Sequence, residues 1–307
     1  MKRIKIALVG MGKIARDQHV PALAANAAYE LVGVASPNHR LEGVPNFPTL
    51  EQLIDTVPGV QAVSICTPPQ NRYELARYAL SRGKHVMLEK PPGATLSEIA
   101  ALQDLANFQR VALFTMWHSR AAAGVEPARD WLVSHAPRIG HIRWKEDVRV
   151  WHPGQTWIWR AGGFGVFDPG INALSILTRI MPNPVVLKSA ELFFPVNCET
   201  PVAANLTLDA GGASIGAEFD FLQTGPQTWE IDIETDAGRL LLSRGGSLMH
   251  VNGNPVVVAS DREYPRLYTH FETLIRERRS DVDVAPLRLV ADAFLSGRRV
   301  TVAPFIE

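Results

Sequence analysis

Ile4-Lys5-Ile6-Ala7-Leu8-Val9-Gly10-Met11-Gly12-Lys13-Ile14-Ala15 decides the fold. An apolar run of strand length meets G-x-G-x-x-A, and an amphipathic stretch follows. Gly10 permits a tight turn. Gly12 lets a backbone approach a pyrophosphate seated on a helix N-terminus, and Ala15 lets helix and strand pack closely. The motif alone is weak; the strand before it and the helical pattern after it give it weight. Working outward, apolar runs recur at Leu31–Ser36, Ala62–Thr67, His85–Glu89 and Val111–Thr115. Helical patterns separate them at Lys13–Asn26, Leu50–Asp55, Gln70–Arg82 and Leu96–Phe108. The runs are rich in Val, Ile and Leu, as strands covered on both faces must be. This predicts an α/β fold with a Rossmann doubly wound parallel sheet over residues 1–119.

From Pro137 the texture changes. Alternating segments follow at Ile142–Val150, Val185–Phe194, Ala203–Leu208, Ser214–Phe221, Glu230–Thr235 and Leu240–Leu242, with turn signals such as Asp236-Ala237-Gly238 between them. They predict an open, mostly antiparallel sheet in a second α/β domain, 120–307. Helical patterns at Tyr264–Arg279 and Ala285–Ser296 close the chain. A length of 307 residues suits two domains.

Composition excludes several classes. Apolar residues make up 46% of the chain, too many for disorder, and no apolar run of about 18 residues would span a membrane. Lys2 and Arg3 precede an apolar run, as in a secretory leader, but that run is short and ends in glycines, so it reads as a strand. Thirty-one basic residues balance 31 acidic ones, which argues against nucleic-acid and membrane partners. Cys66 and Cys198 lie far apart, so a reducing cytoplasm is expected. There is no H-E-x-x-H, C-x-x-C or P-loop, so neither a metal site nor a kinase is expected. Gly212-Ala213-Ser214-Ile215-Gly216 matches G-x-S-x-G but opens a strand, where a nucleophile elbow needs a helix to follow.

The second strand bears on the cofactor. It ends Val34-Ala35-Ser36-Pro37-Asn38-His39-Arg40, without the acid that would bind the adenosine ribose and repel a 2′-phosphate. Ser36 and Arg40 could hold such a phosphate, so NADP is expected, with NAD also usable. A solvated turn with an incidental arginine is the other reading. The cofactor set at the strand ends is Gly10, Gly12, Lys13, Ile14, Ser36, His39, Arg40, Cys66, Thr67, Pro68, Glu89, Lys90 and Trp117.

Two further markers carry chemistry. Glu89-Lys90-Pro91-Pro92 ends the fourth strand, where doubly wound sheets bind ligands. Asp168-Pro169 follows Gly162-Gly163-Phe164-Gly165 and reads as a helix N-cap with proline at the first helical position. Asn172 shares the face of Asp168 one turn on. Six of the seven tryptophans fall between Trp117 and Trp159; Trp151, Trp157 and Trp159 read as a loop, and Trp229 stands apart. Tryptophans give flat walls for the C–H faces of a sugar, and carboxylates, His and Asn give partners for its hydroxyls.

Together these motifs resemble the Gfo/Idh/MocA oxidoreductase family, and within it the bacterial aldose 1-dehydrogenase branch. The resemblance rests on Lys13–His19, Glu89–Thr95, Arg143–Val148, Trp151–Gln155, Phe167–Ser175 and Ser280–Val284. It implies oxidation of the anomeric C1 hydroxyl of L-arabinose or D-galactose to the lactone with NAD(P). It implies a substrate pocket from Lys90, His118, Glu146, Trp151, Asp168, Asn172 and Trp229, with Lys90, Asp168 and Asn172 in catalysis. Asn172 stands where the family usually has histidine, so acid–base work falls to Lys90 or Asp168. A homodimer and a monomer both remain open. Alternatives are oxidation at another ring carbon, as in inositol dehydrogenases, and a cofactor-binding regulator without turnover.

Overall fold

The computed structural model describes residues 2–259 and 262–307, and they fall into two compact units. Met1 lies outside the described residues. The first unit comprises residues up to 118 plus 263–284; the second comprises 119–262 plus 285–307.

The chain opens with β1 (Ile4–Val9), a π-helical turn at Ala15–His19 and α1 (Val20–Ala24). Then come β2 (Tyr29–Ala35), β3 (Asn46–Phe47), α2 (Leu50–Thr56), β4 (Ala62–Ile65), α3 (Arg72–Ser81), β5 (His85–Glu89), α4 (Leu96–Gln109) and β6 (Leu113–Met116). The strands form one parallel sheet in the order β3-β2-β1-β4-β5-β6. This is the doubly wound Rossmann order, with its crossover between β1 and β4. Every residue of β4 is buried, as is Val86–Glu89 of β5, which is why these strands read as apolar runs without alternation. The sequence foresaw five strands. The sixth, β3, is two residues long and half-buried at the sheet edge, too short to make a pattern.

The ends of β4 and β5 are held in place. Thr95 caps α4 in a reciprocal box: its side chain accepts from Glu98 N at 3.2 Å, and Glu98 Oε2 accepts from Thr95 N at 3.1 Å. Such a cap is worth about 1 kcal/mol. Glu98 Oε2 also takes Ala94 N at 2.9 Å, fixing the buried Pro91–Gly93 turn that follows Lys90.

The second unit contains α5 (Val125–Ser134), β7 (Pro137–Lys145), α6 (Val148–Trp151), α7 (Phe167–Ile180), β8 (Val185–Pro195), β9 (Ala203–Ala210), β10 (Ala213–Asp220), β11 (Thr228–Thr235), β12 (Gly238–Ser243), β13 (Leu248–Val251) and β14 (Asn254–Val258). Next, α8 (Glu263–Glu277) belongs to the first unit, and α9 (Ala285–Ser296) and β15 (Arg298–Val302) return to the second. The second sheet has nine strands in the order β14-β13-β12-β11-β7-β10-β9-β8-β15. Only β10 with β7 and β15 with β8 pair in parallel, so the sheet is mostly antiparallel. Helix α7 is buried along most of its length, including Phe167, Ile171, Leu174 and Leu177, and it contacts α5, α9 and β7.

Three expectations need correction. The sequence assigned all of 120–307 to the second domain, yet 263–284 clusters with the first. Tyr268 explains this: its backbone carbonyl accepts from Tyr29 OH at 2.9 Å, and its hydroxyl bonds His19. The strand expected to reach Val150 ends at Lys145, because the Asp147 side chain accepts from Arg149 N at 3.0 Å and starts α6. Trp151, Trp157 and Trp159 sit in short helical turns rather than an open loop. Of the Gly212–Gly216 stretch, Gly212 lies in the turn and Ala213–Gly216 open β10, with no helix after it.

Candidate active site

The first unit supplies a cradle at the carboxyl ends of β1, β4 and β5. Gly10 has φ +87°, and a Cβ there would come within 2.9 Å of Thr67 Cγ2. A Cβ on Gly12 would meet nothing within 4 Å, so the space over that backbone is open. Thr67 Oγ1 is buried without a hydrogen-bond partner among the described residues. A tight glycine turn, an open approach and an unspent hydroxyl fit a dinucleotide pyrophosphate. Lys13 and Ile14 are exposed beside Gly12, and Lys13 pairs with Asp17. Ser36 is half-buried at the end of β2, and Pro37–Arg40 are exposed. Cys66 is buried and Pro68 half-buried. Trp117 is buried past β6, its Nε1 donating to Asp283 O at 2.9 Å.

Lys90 is half-buried at the end of β5. The two carbonyls flanking it, Glu89 O and Pro91 O, both accept from the buried Arg72 guanidinium, whose Nε also donates to Thr67 O at 2.7 Å. The Glu89 carboxylate is turned into the unit rather than out over the strand end. It is 2% exposed and accepts from Lys90 N at 2.8 Å, Tyr264 OH at 2.7 Å and His19 Nε2 at 3.0 Å. Burial alone would raise its pKa. The His19 hydrogen bond and charge, with His118 and Arg72 nearby, outweigh burial and bring it down to about 2. His118 lies beyond Trp117, with Nδ1 2.6 Å from Glu263 Oε2. Burial pushes the His118 imidazole down, but the Glu263 carboxylate prevails and its pKa is raised.

In the second unit, α6 and α7 and the ends of β7 and β11 gather a polar cluster. Glu146 is buried, and its Oε2 accepts from Trp229 Nε1 at 2.8 Å. His152 Nε2 lies 3.7 Å from Glu146 Oε1 and 3.6 Å from Asp168 Oδ2. The Trp229 ring lies between Trp144, stacked at 5.9 Å, and Trp151 at 5.1 Å. Trp151 is exposed and Asn172 half-buried. So the predicted Trp151 and Trp229 reach the predicted Glu146 through the Trp229 bond, and Glu146 and Asp168 both face a histidine that was not predicted. Its only sequence signal is its place after Trp151, since a lone histidine says little before its neighbours are known.

Asp168 is not the N-cap that the sequence suggested, and Pro169 is not the first helical residue. Helix α7 begins at Phe167, with Val166 as cap residue and no side-chain cap bond. Gly165, with φ +53°, coils the chain early. Phe167 N then donates to Phe164 O, Asp168 N to Gly165 O and Val166 N to Pro201 O. Pro169 has no N–H to satisfy. The first-turn amides are satisfied by backbone, and Asp168 Oδ2 lies toward His152.

Comparison with known proteins places this geometry. Residues 4–116 match the model of the Gfo/Idh/MocA oxidoreductase family, NAD-binding Rossmann fold. The galactose 1-dehydrogenase of Pseudomonas fluorescens is 47% identical over 308 residues, covering all of both chains. The chain belongs to the Gfo/Idh/MocA oxidoreductase family. A crystal structure of the D-galactose-1-dehydrogenase from Rhizobium etli superposes with TM-score 0.96 at 52% identity, over 100% of this chain and 99% of that one. A 3-ketoreductase from Actinomadura kijaniata, in complex with NADP and TDP-benzene, shares the fold at TM-score 0.86 and 18% identity, over 98% of this chain and 100% of that one. The family member described here is thus an oxidoreductase with a Rossmann nicotinamide-dinucleotide domain. Among its described residues, no helix is long and apolar enough to cross a membrane.

Proposed function

We propose that this chain oxidises the anomeric C1 hydroxyl of D-galactose and L-arabinose to the lactone, preferring NADP to NAD. The observation that carries this reading is the full-length likeness to the galactose 1-dehydrogenase of Pseudomonas fluorescens. The cluster in the second unit supports it. Glu146, His152 and Asp168 offer hydroxyl partners with the Trp151 and Trp229 rings at Glu146, the pairing of flat apolar wall and polar edge that a pyranose needs. Galactose and arabinose share ring configuration and differ at the C5 substituent, so one pocket serves both.

The dinucleotide, when bound, supplies the acceptor for the C1 hydrogen. The glycine turn at Gly10 and Gly12, with Thr67, would hold its pyrophosphate, and Ser36 and Arg40 its 2′-phosphate. The remaining chemistry belongs to the protein. The anomeric hydroxyl gives its proton to a base, C1 loses hydride, and the C1–O bond becomes the lactone carbonyl. Lys90 transfers the proton, and Asp168 holds the sugar hydroxyl. His118, Glu146, Trp151, Asn172 and Trp229 orient the ring, so the reacting atoms meet at low entropic cost. The substrate is a free monosaccharide, and the free thiols Cys66 and Cys198 suit a reducing cytoplasm.

The test is initial-rate kinetics with a panel of pentoses, hexoses and inositols, each with NAD and NADP. Galactose and arabinose should both turn over, with higher kcat/KM for NADP, and Arg40→Ala should weaken NADP far more than NAD. Turnover confined to glucose or inositol would sink the substrate assignment. Equal losses with both cofactors would remove Arg40 from the phosphate site.

A further inference from the structure

His19 is the most enclosed histidine of the first unit and has no place in the chemistry above. Its side chain is fully buried at the end of a π-helical turn. Such turns are frequent at functional sites, and this one leaves the imidazole buried in the unit. Nε2 lies 3.0 Å from Glu89 Oε1; facing a carboxylate, it carries the hydrogen. Nδ1 lies 2.7 Å from Tyr268 OH and 3.3 Å from Ser64 Oγ. The Tyr264 and Tyr268 rings meet the imidazole edge-to-face at 5.1 and 5.8 Å. Both ring nitrogens and both edges are therefore held, by residues of β4, β5 and α8.

What His19 holds is Glu89, and what Glu89 holds is the backbone of Lys90. The second carboxylate oxygen, Oε2, accepts the Lys90 amide at 2.8 Å, while Oε1 is fixed by His19 and Tyr264. On the same turn, Arg72 takes the carbonyls before and after Lys90. The Glu89–Lys90 peptide plane is thus held on both sides, at Glu89 O by Arg72 and at Lys90 N by Glu89 Oε2, and the Pro91 carbonyl is pinned just beyond. A buried ion pair is a poor stabiliser, since apolar residues of equal volume do as well. A buried carboxylate that must keep one oxygen on one amide has a positional use instead, and misplacing a reacting group by about 1 Å can cost up to about 10²-fold in rate.

We infer that His19 is a positioning residue for Lys90, acting through the Glu89 carboxylate, together with Tyr264. The inference rests on the catalytic role given to Lys90 above. It also assigns Glu89 to the support of Lys90, with its carboxylate out of contact with cofactor.

The experiment uses His19→Leu, which removes the donor to Glu89, and His19→Gln, which keeps one. It reads kcat and KM for galactose, NADPH affinity by fluorescence, and the Lys90 amide resonance in protein labelled with ¹⁵N-lysine, identified by its absence from Lys90→Ala. His19→Leu should lower kcat by between about 10- and 10²-fold, leave NADPH affinity within about twofold, and move the Lys90 amide resonance. His19→Gln should recover most of the rate. Combined with Lys90→Ala, His19→Leu should cost almost nothing further, since the two act as one unit. A milder loss with the same coupling is expected of Tyr264→Phe, which stands in if the leucine variant does not fold. An unmoved Lys90 amide, or losses additive with Lys90→Ala, would overturn the inference. Wild-type protein that ignores every sugar, with the amide still moved by the variant, would refute the proposed substrate and leave the positioning intact.

Discussion

The proposed chemistry turns on Lys90 and Asp168, and one substitution separates their roles. Arginine at position 90 keeps the cation but cannot accept a proton. If Lys90 transfers the proton, Lys90→Arg should lose at least ~10²-fold in kcat across the working pH range, the low end for general acid–base catalysis. Near-wild-type turnover in that variant would make Lys90 an electrostatic stabiliser of the forming alkoxide and Asp168 the proton acceptor. Motif-borne residues such as these stand out in the sequence because their signal is local. Lys90 stands between a strand and two prolines, and Gly10 and Gly12 sit at a strand–helix junction. His19 and His152 were not legible, because neither makes its meaning within its own segment. His19 finds Glu89 70 residues away and Tyr268 249 residues away. His152 acquires its meaning only when β7 and α7 bring Glu146 and Asp168 to it.

Among the elements, α7 best shows how local grammar can name the right helix and misassign its cap. The Gly-rich approach followed by Asp168-Pro169 announces a helix, and a helix is there. The sequence could not reveal that Gly165 would coil the chain before Asp168 and start the helix at Phe167. A Cβ at Gly165 would meet Pro201 O at 2.2 Å and Thr200 Oγ1 at 2.9 Å, on a backbone at φ +53°. Gly165→Ala should therefore combine a left-handed strain of about 1–2 kcal/mol with an overpacking cost of about 1–3 kcal/mol. A loss of about 2–5 kcal/mol in urea unfolding is expected, with activity falling as Asp168 shifts. An alanine variant as stable as wild type would show that the approach to α7 is not fixed by this glycine. A helix with a long periodic pattern, α4, and a strand with a bounded apolar run, β5, were legible to within a few residues. Short strands such as β3, β13 and β14 carry too few residues to set a period.

At the scale of the whole molecule, the sequence yielded both fold classes but not the return of α8 to the first unit. Amphipathicity announces a helix without naming the sheet that will cover it. Glu89, which accepts from Tyr264 of α8, gives the molecule a pH signature. Glu89 titrates near 2 when folded, below its ordinary 4.5. As pH falls, the unfolded chain takes up that proton first. The stabilisation from Glu89 is thus complete above about 4.5 and lost between there and about 2. The gap in urea midpoint between wild type and Glu89→Gln should narrow over that interval; a gap independent of pH would mean that the carboxylate is not held in its charged form.

The central claim is that the substrate gives up the hydrogen on C1, and isotopic substitution at that carbon tests it directly. With D-galactose deuterated only at C1 and NADP as acceptor, the reduced cofactor should carry the deuterium at nicotinamide C4. Turnover should slow relative to unlabelled sugar under conditions where chemistry limits the rate, and the sugar product should be the lactone. Reduced cofactor free of deuterium, with the label retained in an oxidised sugar, would place the reaction at another carbon and contradict the account.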